Sequence, residues 1–212
     1  MIRLHAVQTG RIAPLGPDQV PSGYVKWPTE GRARVGALGL AGDEIADLSV
    51  HGGPEKAVYG YSLSHYAKWQ EEYPQHAVRL QPGAFGENLT IDGLAEEDIC
   101  LGDIHRVGTS LLQVCQPRQP CFKFALFFED KRMLKAMVRS GRAGWYYRVL
   151  QEGELGPGDE VVVVDRPQPD FPFSRLVEIV YGGRATRDEL LELAAMDEIA
   201  SSLRAAARES LR

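Results

Sequence analysis

The sequence predicts a mainly β fold of the α+β class: a closed β-barrel with a few helices, followed by a small C-terminal three-helix unit. Glycine (22) and proline (13) recur through residues 10–170 of the 212 and divide the chain into short segments, as expected for barrels and sandwiches. Gly102-Asp103 and Gly158-Asp159 each precede an apolar strand, and strands entered through such turns suit a closed barrel. Beyond residue 173, alanine, leucine, glutamate and arginine replace the prolines, which is typical of helices.

The predicted strands are short, and two of them form a hairpin. Residues 104–107 and 111–115 are apolar-rich runs on either side of Gly108-Thr109, a two-residue turn signal. Four consecutive valines within residues 160–165 predict a buried strand. The remaining predicted strands are residues 2–7 and 88–91.

Two helices are expected to interrupt these strands. The first has Ser62 as its N-cap and ends before Pro74. The second spans residues 122–139 and ends at Gly141. Apolar residues recur along the first helix at steps of three and four, and they predict a stripe packed on the barrel: Leu63, Tyr66, Trp69 and Tyr73.

A proline-rich segment, residues 167–173, is predicted to link a main domain of residues 1–166 to the helical unit of residues 174–212. Within that unit, Thr186 and Glu189 have the spacing of a capping box at a helix start. Because about 40 residues bury little apolar surface alone, the unit is expected to pack on the barrel or on a partner.

Charge and composition exclude several classes of protein. A formal net charge of −5 argues against a wide basic surface for nucleic acid or anionic lipid. No apolar run approaches the roughly 18 residues of a membrane span, and the N-terminus lacks an apolar signal segment, so a cytoplasmic protein is expected. The three cysteines show no paired spacing, which favours reduced thiols over disulfides.

The segment from residue 51 to 56, His-Gly-Gly-Pro-Glu-Lys, is a candidate phosphate site. Gly52 and Gly53 allow backbone N–H groups to approach an anion, while His51 and Lys56 add positive charge. On composition alone, a tight turn with a solvated lysine is the simpler interpretation.

Two further glycine-containing segments offer polar groups. One begins at Gly39 and ends in Asp43 and Glu44, which could face a ligand or end a strand; its glycine spacing is not a dinucleotide fingerprint. The other carries Glu87 and Asn88, an acceptor and an amide that could bond the edge of a heterocycle or could form an ordinary turn.

Cys121 is the candidate reactive thiol. Two prolines stiffen the segment Gln-Pro-Arg-Gln-Pro-Cys that ends at Cys121, directly before a predicted helix and close to Arg118. A helix start and an arginine both favour the thiolate, which binds soft metals or attacks electrophiles. The alternative is a small buried side chain, which is how Cys100 and Cys115 are interpreted.

A hydrolytic site and a zinc site are two alternatives to these interpretations. The chain contains no Gly-X-Ser-X-Gly elbow, although a Cys–His pair between Cys121 and one of four histidines stays open. Those histidines are His51, His65, His76 and His105. No close pairing of histidines favours zinc.

Taken together and in this order, the motifs resemble the MOSC domain, named for the C-terminal region of molybdenum cofactor sulfurases. They are Gly39-Leu-Ala-Gly-Asp-Glu44, His51-Gly-Gly-Pro54 with Lys56, Phe85-Gly-Glu-Asn-Leu89, Gly102-Asp103 and Gln116-Pro-Arg-Gln-Pro-Cys121. Gly144-Trp145-Tyr146 and the three-helix extension are similar to the bacterial YiiM-like branch. The segment Ser201-Ser-Leu-Arg204 departs from that branch, where a tryptophan is usual.

The resemblance implies a β-rich barrel that binds the molybdenum cofactor (molybdopterin), with Cys121 as a thiolate ligand of the metal. It also implies reduction of N-hydroxylated compounds, such as hydroxylaminopurines, with electrons from a flavoprotein reductase. Asp43 or Glu44 is a candidate for proton transfer during N–O cleavage. By residue type, the expected cofactor contacts are His51, Gly52, Gly53, Lys56 and Arg118 at the phosphate, and Glu87 and Asn88 at the pterin edge.

Two other functions remain open from the sequence. A low-pKa Cys121 could carry a persulfide, as a sulfur carrier or sulfurtransferase would. A protein that stores or delivers the cofactor without turnover would present the same contacts.

Overall fold

The computed structural model describes residues 1–212 and is built around one large sheet. The strands are β1 (Arg3–Thr9), β2 (Ala13–Leu15), β3 (Val20–Ser22), β4 (Trp27–Pro28), β5 (Ala33–Gly36), β6 (Gly39–Leu40), β7 (Val58–Ser62), β8 (Leu89–Asp92), β9 (Ile104–Val107), β10 (Ser110–Pro117), β11 (Trp145–Gln151), β12 (Gly153–Leu155) and β13 (Val161–Asp165). Eight of them form a sheet in the order β13-β9-β10-β11-β7-β8-β1-β4. Only β7 and β8 run parallel, and their connection contains a helix.

The prediction of a closed barrel is wrong, since the large sheet is open with β13 and β4 at its edges. Three backbone hydrogen bonds join residues 2–4 to residues 158–161, but the only bridge there is the isolated pair Arg3–Glu160. Glycine turns and short strands occur in open twisted sheets as well as in barrels, so they do not distinguish an open sheet from a closed one. The fold is a mixed α+β structure with six helices.

The six helices are α1 (Ser64–Glu72), α2 (Phe122–Phe128), α3 (Arg132–Ser140), α4 (Phe173–Gly182), α5 (Arg187–Ala195) and α6 (Ser201–Ser210). None of them combines the length and apolar character that a bilayer crossing requires. The helix predicted over residues 122–139 is two helices. Glu129 adopts a left-handed conformation (φ 56°) that ends α2, and the Asp130 carboxylate accepts a hydrogen bond from the Arg132 N–H to begin α3.

Two other predicted features have mixed outcomes. Thr186 and Glu189 form the predicted capping box of α5. The predicted buried strand is β13, where Val161 is buried but Val164 is 42% exposed, because β13 is an edge strand.

The interior consists of two apolar clusters. The larger one has 28 buried residues and combines strand residues such as Leu4 and Val114 with Phe173 and Leu176 of α4. Leu193 of α5 also belongs to it, so the C-terminal helices pack on the strands. The smaller cluster is mainly aromatic and lies against α1, α2 and α3.

The segment of residues 167–173 is packed as well. Phe171 and Phe173 are buried, and backbone hydrogen bonds join them to Leu101 and Ile99. The division into a main domain and a three-helix unit stays a prediction.

Candidate functional site

A cleft lies where β7, β8 and β11 meet the chain that follows β10. Pairing places Tyr146 of β11 opposite Tyr59 of β7, and Asn88, directly before β8, donates its backbone N–H to the Tyr59 carbonyl. The chain after β10 brings Arg118 and Cys121 to the same place. The cleft is open to solvent, and its empty space, part of which is open solvent, is about 620 Å³.

Cys121 is the N-cap residue of α2 and is half-buried at the cleft. Burial raises the pKa of its thiol, but the neighbouring His51 imidazole, the Arg118 guanidinium and the Lys123 backbone N–H lower it more, to about 6. Cys121 is therefore largely a thiolate at neutral pH.

Arg118 is buried among aromatic rings at the floor of the cleft. Its guanidinium carbon lies 4.9 Å from the centroid of the Tyr59 ring and 5.6 Å from that of Tyr24. Nη1 is 3.5 Å from the Tyr146 hydroxyl, and buried Nε has no hydrogen-bond partner. A buried, unpaired guanidinium nitrogen is costly unless a ligand accepts its hydrogen bond.

Lys56 and Lys123 add positive charge without a carboxylate partner. Lys56 Nζ donates to the Val50 carbonyl at 2.9 Å, and Lys123 Nζ donates to the Pro21 carbonyl at 3.2 Å. The buried Nδ1 of His51, in the same cleft, has no partner either. This combination suits an anionic group such as a phosphate.

Asp43 lies in the cleft within a network of hydrogen bonds. Its Oδ1 accepts from the Gly10 N–H at 2.7 Å and from Lys26 Nζ, and its Oδ2 accepts from Asn88 Nδ2 at 2.9 Å. Burial lowers the pKa of Lys26, and the Asp43 carboxylate partly offsets this. Asn88 Oδ1 accepts from the Tyr59 N–H, so this amide holds Asp43 in place.

The structure brings most of the predicted site residues together. The predicted residues that line the cleft are Asp43, Glu44, His51, Gly52, Lys56, Asn88, Arg118 and Cys121. Gly52 and Gly53 have φ values of 72° and 82°, which glycine adopts readily. Gly53 follows Gly52 along the chain but does not line the cleft.

Glu87 faces the interior instead. It is fully buried, and its carboxylate accepts hydrogen bonds from the Gly83 N–H at 2.7 Å, the Phe85 N–H at 3.1 Å and the hydroxyls of Thr90 and Tyr66. These bonds fix the turn before β8. Glu87 therefore does not line the cleft, although Asn88 beside it does.

Among the four histidines considered for a Cys–His pair, only His51 lines the cleft. His65 contacts Glu96 at 2.6 Å, His76 contacts Asp130 at 3.1 Å, and His105 contacts the Tyr147 hydroxyl at 2.8 Å. The Nδ1 atom of His51 has no hydrogen-bond partner, so no third group orients this imidazole. A catalytic triad of the hydrolase type is therefore disfavoured. No group of three or more His, Cys, Asp or Glu side chains is placed to hold a metal ion.

The sequence did not single out several residues of the cleft. They are Tyr24, Lys26, Tyr59 and Lys123, whereas Tyr146 belongs to the Gly144-Trp145-Tyr146 motif. Tyr24 and Tyr59 have the pattern of ordinary core residues, and Lys26 contacts Asp43 only in the folded chain. The position of Lys123, two residues after Cys121, is a sequence signal for a place in the cleft.

Sequence comparisons identify the same family as the motifs. A profile of the MOSC domain family matches residues 47–162. Protein YiiM of Escherichia coli is 39% identical over 160 residues, which cover 76% of this chain and 71% of that protein. YflK of Bacillus subtilis is 36% identical over 194 residues, 92% of this chain and 83% of that protein. A Gibberella moniliformis protein named "Reductase" is 37% identical over 189 residues, 88% of this chain but only 33% of that longer protein.

Solved structures share the fold over nearly the whole chain. YiiM from Geobacillus stearothermophilus superimposes with a TM-score of 0.84 at 31% identity and covers 100% of both chains. YiiM from Escherichia coli gives a TM-score of 0.79 at 29% identity, over 95% of this chain and 92% of the other. The similarity therefore includes the three C-terminal helices.

Proposed function

Because this chain belongs to the MOSC domain family, we propose that its cleft binds the molybdenum cofactor and that the protein reduces N-hydroxylated compounds of the hydroxylaminopurine type. The observation that carries the proposal is the position of a low-pKa cysteine beside cations that have no carboxylate partner. The relative named "Reductase" supports a reductive activity.

The residues present fit such a cofactor. Arg118, Lys56 and Lys123 would hold its phosphate, and the unpaired nitrogens of Arg118 and His51 would gain an acceptor. The Cys121 thiolate is a soft ligand suited to molybdenum. Since the protein offers no cluster of metal-binding side chains, a metal at Cys121 would take most of its ligands from the cofactor itself.

The overall reaction consumes the N-hydroxyl compound, two electrons and two protons, and it yields the amine and water. Bound molybdenum would supply the two-electron chemistry. We propose Lys26 and Asp43 as the proton-holding pair, because they share a hydrogen bond at the cleft and burial lowers the pKa of Lys26. Glu44 is the weaker candidate, since its Oε2 accepts only from the Ile12 N–H at 2.7 Å and the carboxylate pairs with no lysine that could hold a proton.

A flavoprotein reductase is the proposed electron donor. We propose the cytoplasm as the location, which the three free cysteines support.

To test this proposal, the wild type and the variants Cys121→Ser and Cys115→Ala are purified from cells that make the cofactor. We expect near-stoichiometric molybdenum in the wild type and oxidation of reduced methyl viologen that depends on hydroxylaminopurine. Cys121→Ser should lose this activity by about 100-fold or more, whereas Cys115→Ala should keep it. If molybdenum is bound but no N-hydroxylated compound oxidises the donor, the reductase proposal fails and a storage protein is favoured.

A sulfur carrier is the second candidate, because the half-buried thiolate of Cys121 lies in an open cleft. Incubation with thiosulfate, from which the Cys121 thiolate takes the outer sulfur atom and releases sulfite, would then show one added sulfur atom on Cys121 by mass spectrometry. Transfer of that sulfur to an acceptor would favour this function over the reductase.

A further inference from the structure

Past Cys121 the cleft continues into a second cavity, which we call the outer lobe. Its apolar lining residues are Val20, Val50, Phe122 and Leu203, together with Pro120. It shares His51, Lys56, Cys121, Lys123 and Tyr146 with the cleft, so a group bound in the cleft and a molecule in the outer lobe would be neighbours beside Cys121.

The outer lobe exposes large apolar side chains beside a charged site. Phe122 is 56% exposed and Val50 is 57% exposed, and both line the lobe that Cys121 borders. Exposed apolar side chains grouped in a cavity mark a surface that a ligand covers. An aromatic ring such as that of Phe122 suits stacking with a flat heterocycle.

Helix α6 forms the far wall of this lobe through Ser202 and Leu203. Glu55 holds the start of the helix, because its carboxylate accepts hydrogen bonds from the Ser201 N–H at 2.9 Å and the Ser201 hydroxyl at 2.8 Å. The same carboxylate accepts from Arg148 Nη2 at 2.9 Å. In addition, the Ala200 N–H donates to the Cys115 carbonyl at 3.0 Å. The wall is therefore tied to the strand that leads to Cys121.

We infer that α6 is the specificity-determining wall of the substrate site: Leu203 and Phe122 contact the flat ring of the substrate, and Glu55 positions the helix. This inference rests on the proposed reductase function and assigns its substrate to the outer lobe. Glu55 directly precedes Lys56 in the sequence. One short segment therefore lines the cleft through Lys56 and holds the start of α6 through Glu55.

Binding of the fluorescent base 2-aminopurine to the cofactor-free protein tests the lobe without any turnover. We expect fluorescence quenching by the wild type and a Kd raised about fivefold or more by Leu203→Trp and by Phe122→Ala. Leu191→Trp is the matched control, because Leu191 is an exposed residue of α5 outside the lobe, and it should leave the Kd unchanged. The inference is overturned if the wild type does not bind the base, or if both lobe variants bind it as the wild type does.

Glu55→Gln tests the positioning role. We expect KM for hydroxylaminopurine to rise about fivefold with kcat nearly unchanged, and KM for hydroxylamine, which has no ring, to stay constant. Thr186→Val, which removes the cap of α5, is the control for general loss of helix stability and should change neither constant. Equal effects of Glu55→Gln on both substrates would contradict the positioning role.

The two failures are distinguishable. If the loaded wild type reduces neither compound but 2-aminopurine binding still responds to Leu203→Trp, the reductase proposal fails and the ring-binding lobe stands. If reduction proceeds but the lobe variants change neither Kd nor KM, the assignment of the outer lobe fails and the reductase stands.

Discussion

Two cysteines only six residues apart lie in opposite environments. Cys115 is fully buried within β10, and burial raises its pKa to about 12. Burial also raises the pKa of Cys121, but there His51, Arg118 and the Lys123 N–H outweigh it and bring the pKa to about 6. At Cys115 burial outweighs the Arg148 guanidinium and its backbone N–H, whereas at half-buried Cys121 the donors and cations outweigh burial, so depth and neighbours together decide which thiol is reactive.

Hydrogen bonding reinforces this contrast. The Cys115 S–H can donate to the carbonyl of Glu55 at 3.1 Å or to that of Tyr146 at 3.5 Å, and such acceptors stabilise the protonated form. Cys121 is surrounded by donors, which stabilise the thiolate. The end of β10 thus separates an inert interior from a reactive cleft.

The largest expected effect is in alkylation of the native, cofactor-free protein. At neutral pH, iodoacetamide should modify Cys121 about 1,000-fold faster than Cys115, because only Cys121 is both accessible and mainly thiolate. The Cys121 rate should fall as the pH drops through about 6, where the thiolate is protonated. Peptide mass spectrometry over a pH series measures both rates, and comparable rates at the two cysteines would refute the contrast.

Arg118→Gln should move the alkylation midpoint of Cys121 upward by about one pH unit, because a cation that favours the thiolate is lost. The exposed Arg139→Gln is the control, with no expected shift. An unchanged midpoint in Arg118→Gln would show that the arginine does not act on the thiol.

A smaller effect is expected from Lys123→Gln. Inorganic phosphate should slow alkylation of Cys121 by occupying the cleft, and the variant should need about threefold more phosphate for the same protection. Lys68→Gln on the exposed face of α1 should behave like the wild type. Protection that is independent of phosphate concentration would argue against an anion site.

The smallest effect is expected far from the cleft. Thr186→Val should lower the free energy of unfolding by about 1 kcal/mol through loss of the α5 cap, as measured by urea denaturation. The alkylation profile of Cys121 should not change. A shifted profile would mean that the thiolate depends on the stability of the C-terminal helices.

Much of this contrast could be predicted from local sequence. The prolines before Cys121, the nearby Arg118 and the hairpin at Gly108-Thr109 are local signals, and the structure has Cys121 at a helix start beside that arginine. The break between α2 and α3 was missed because it depends on the single backbone conformation of Glu129. Helical periodicity does not reveal such a break.

The features that could not be predicted are the non-local ones. Closure of the sheet depends on how residues 2–4 meet residues 158–161. Lys26 pairs with Asp43, 17 residues away, and nothing in the sequence around Lys26 indicates that contact. Glu87 and Asn88 are neighbours, yet Glu87 faces the interior and Asn88 the cleft, a distinction that needs the register of β8.

X-ray absorption at the molybdenum edge, recorded for the loaded wild type and for Cys121→Ser, shows whether Cys121 binds the metal. If the Cys121 thiolate is a ligand, as proposed, molybdenum has one more sulfur neighbour in the wild type than in the variant. The same number of sulfur neighbours in both proteins would refute the proposed ligation.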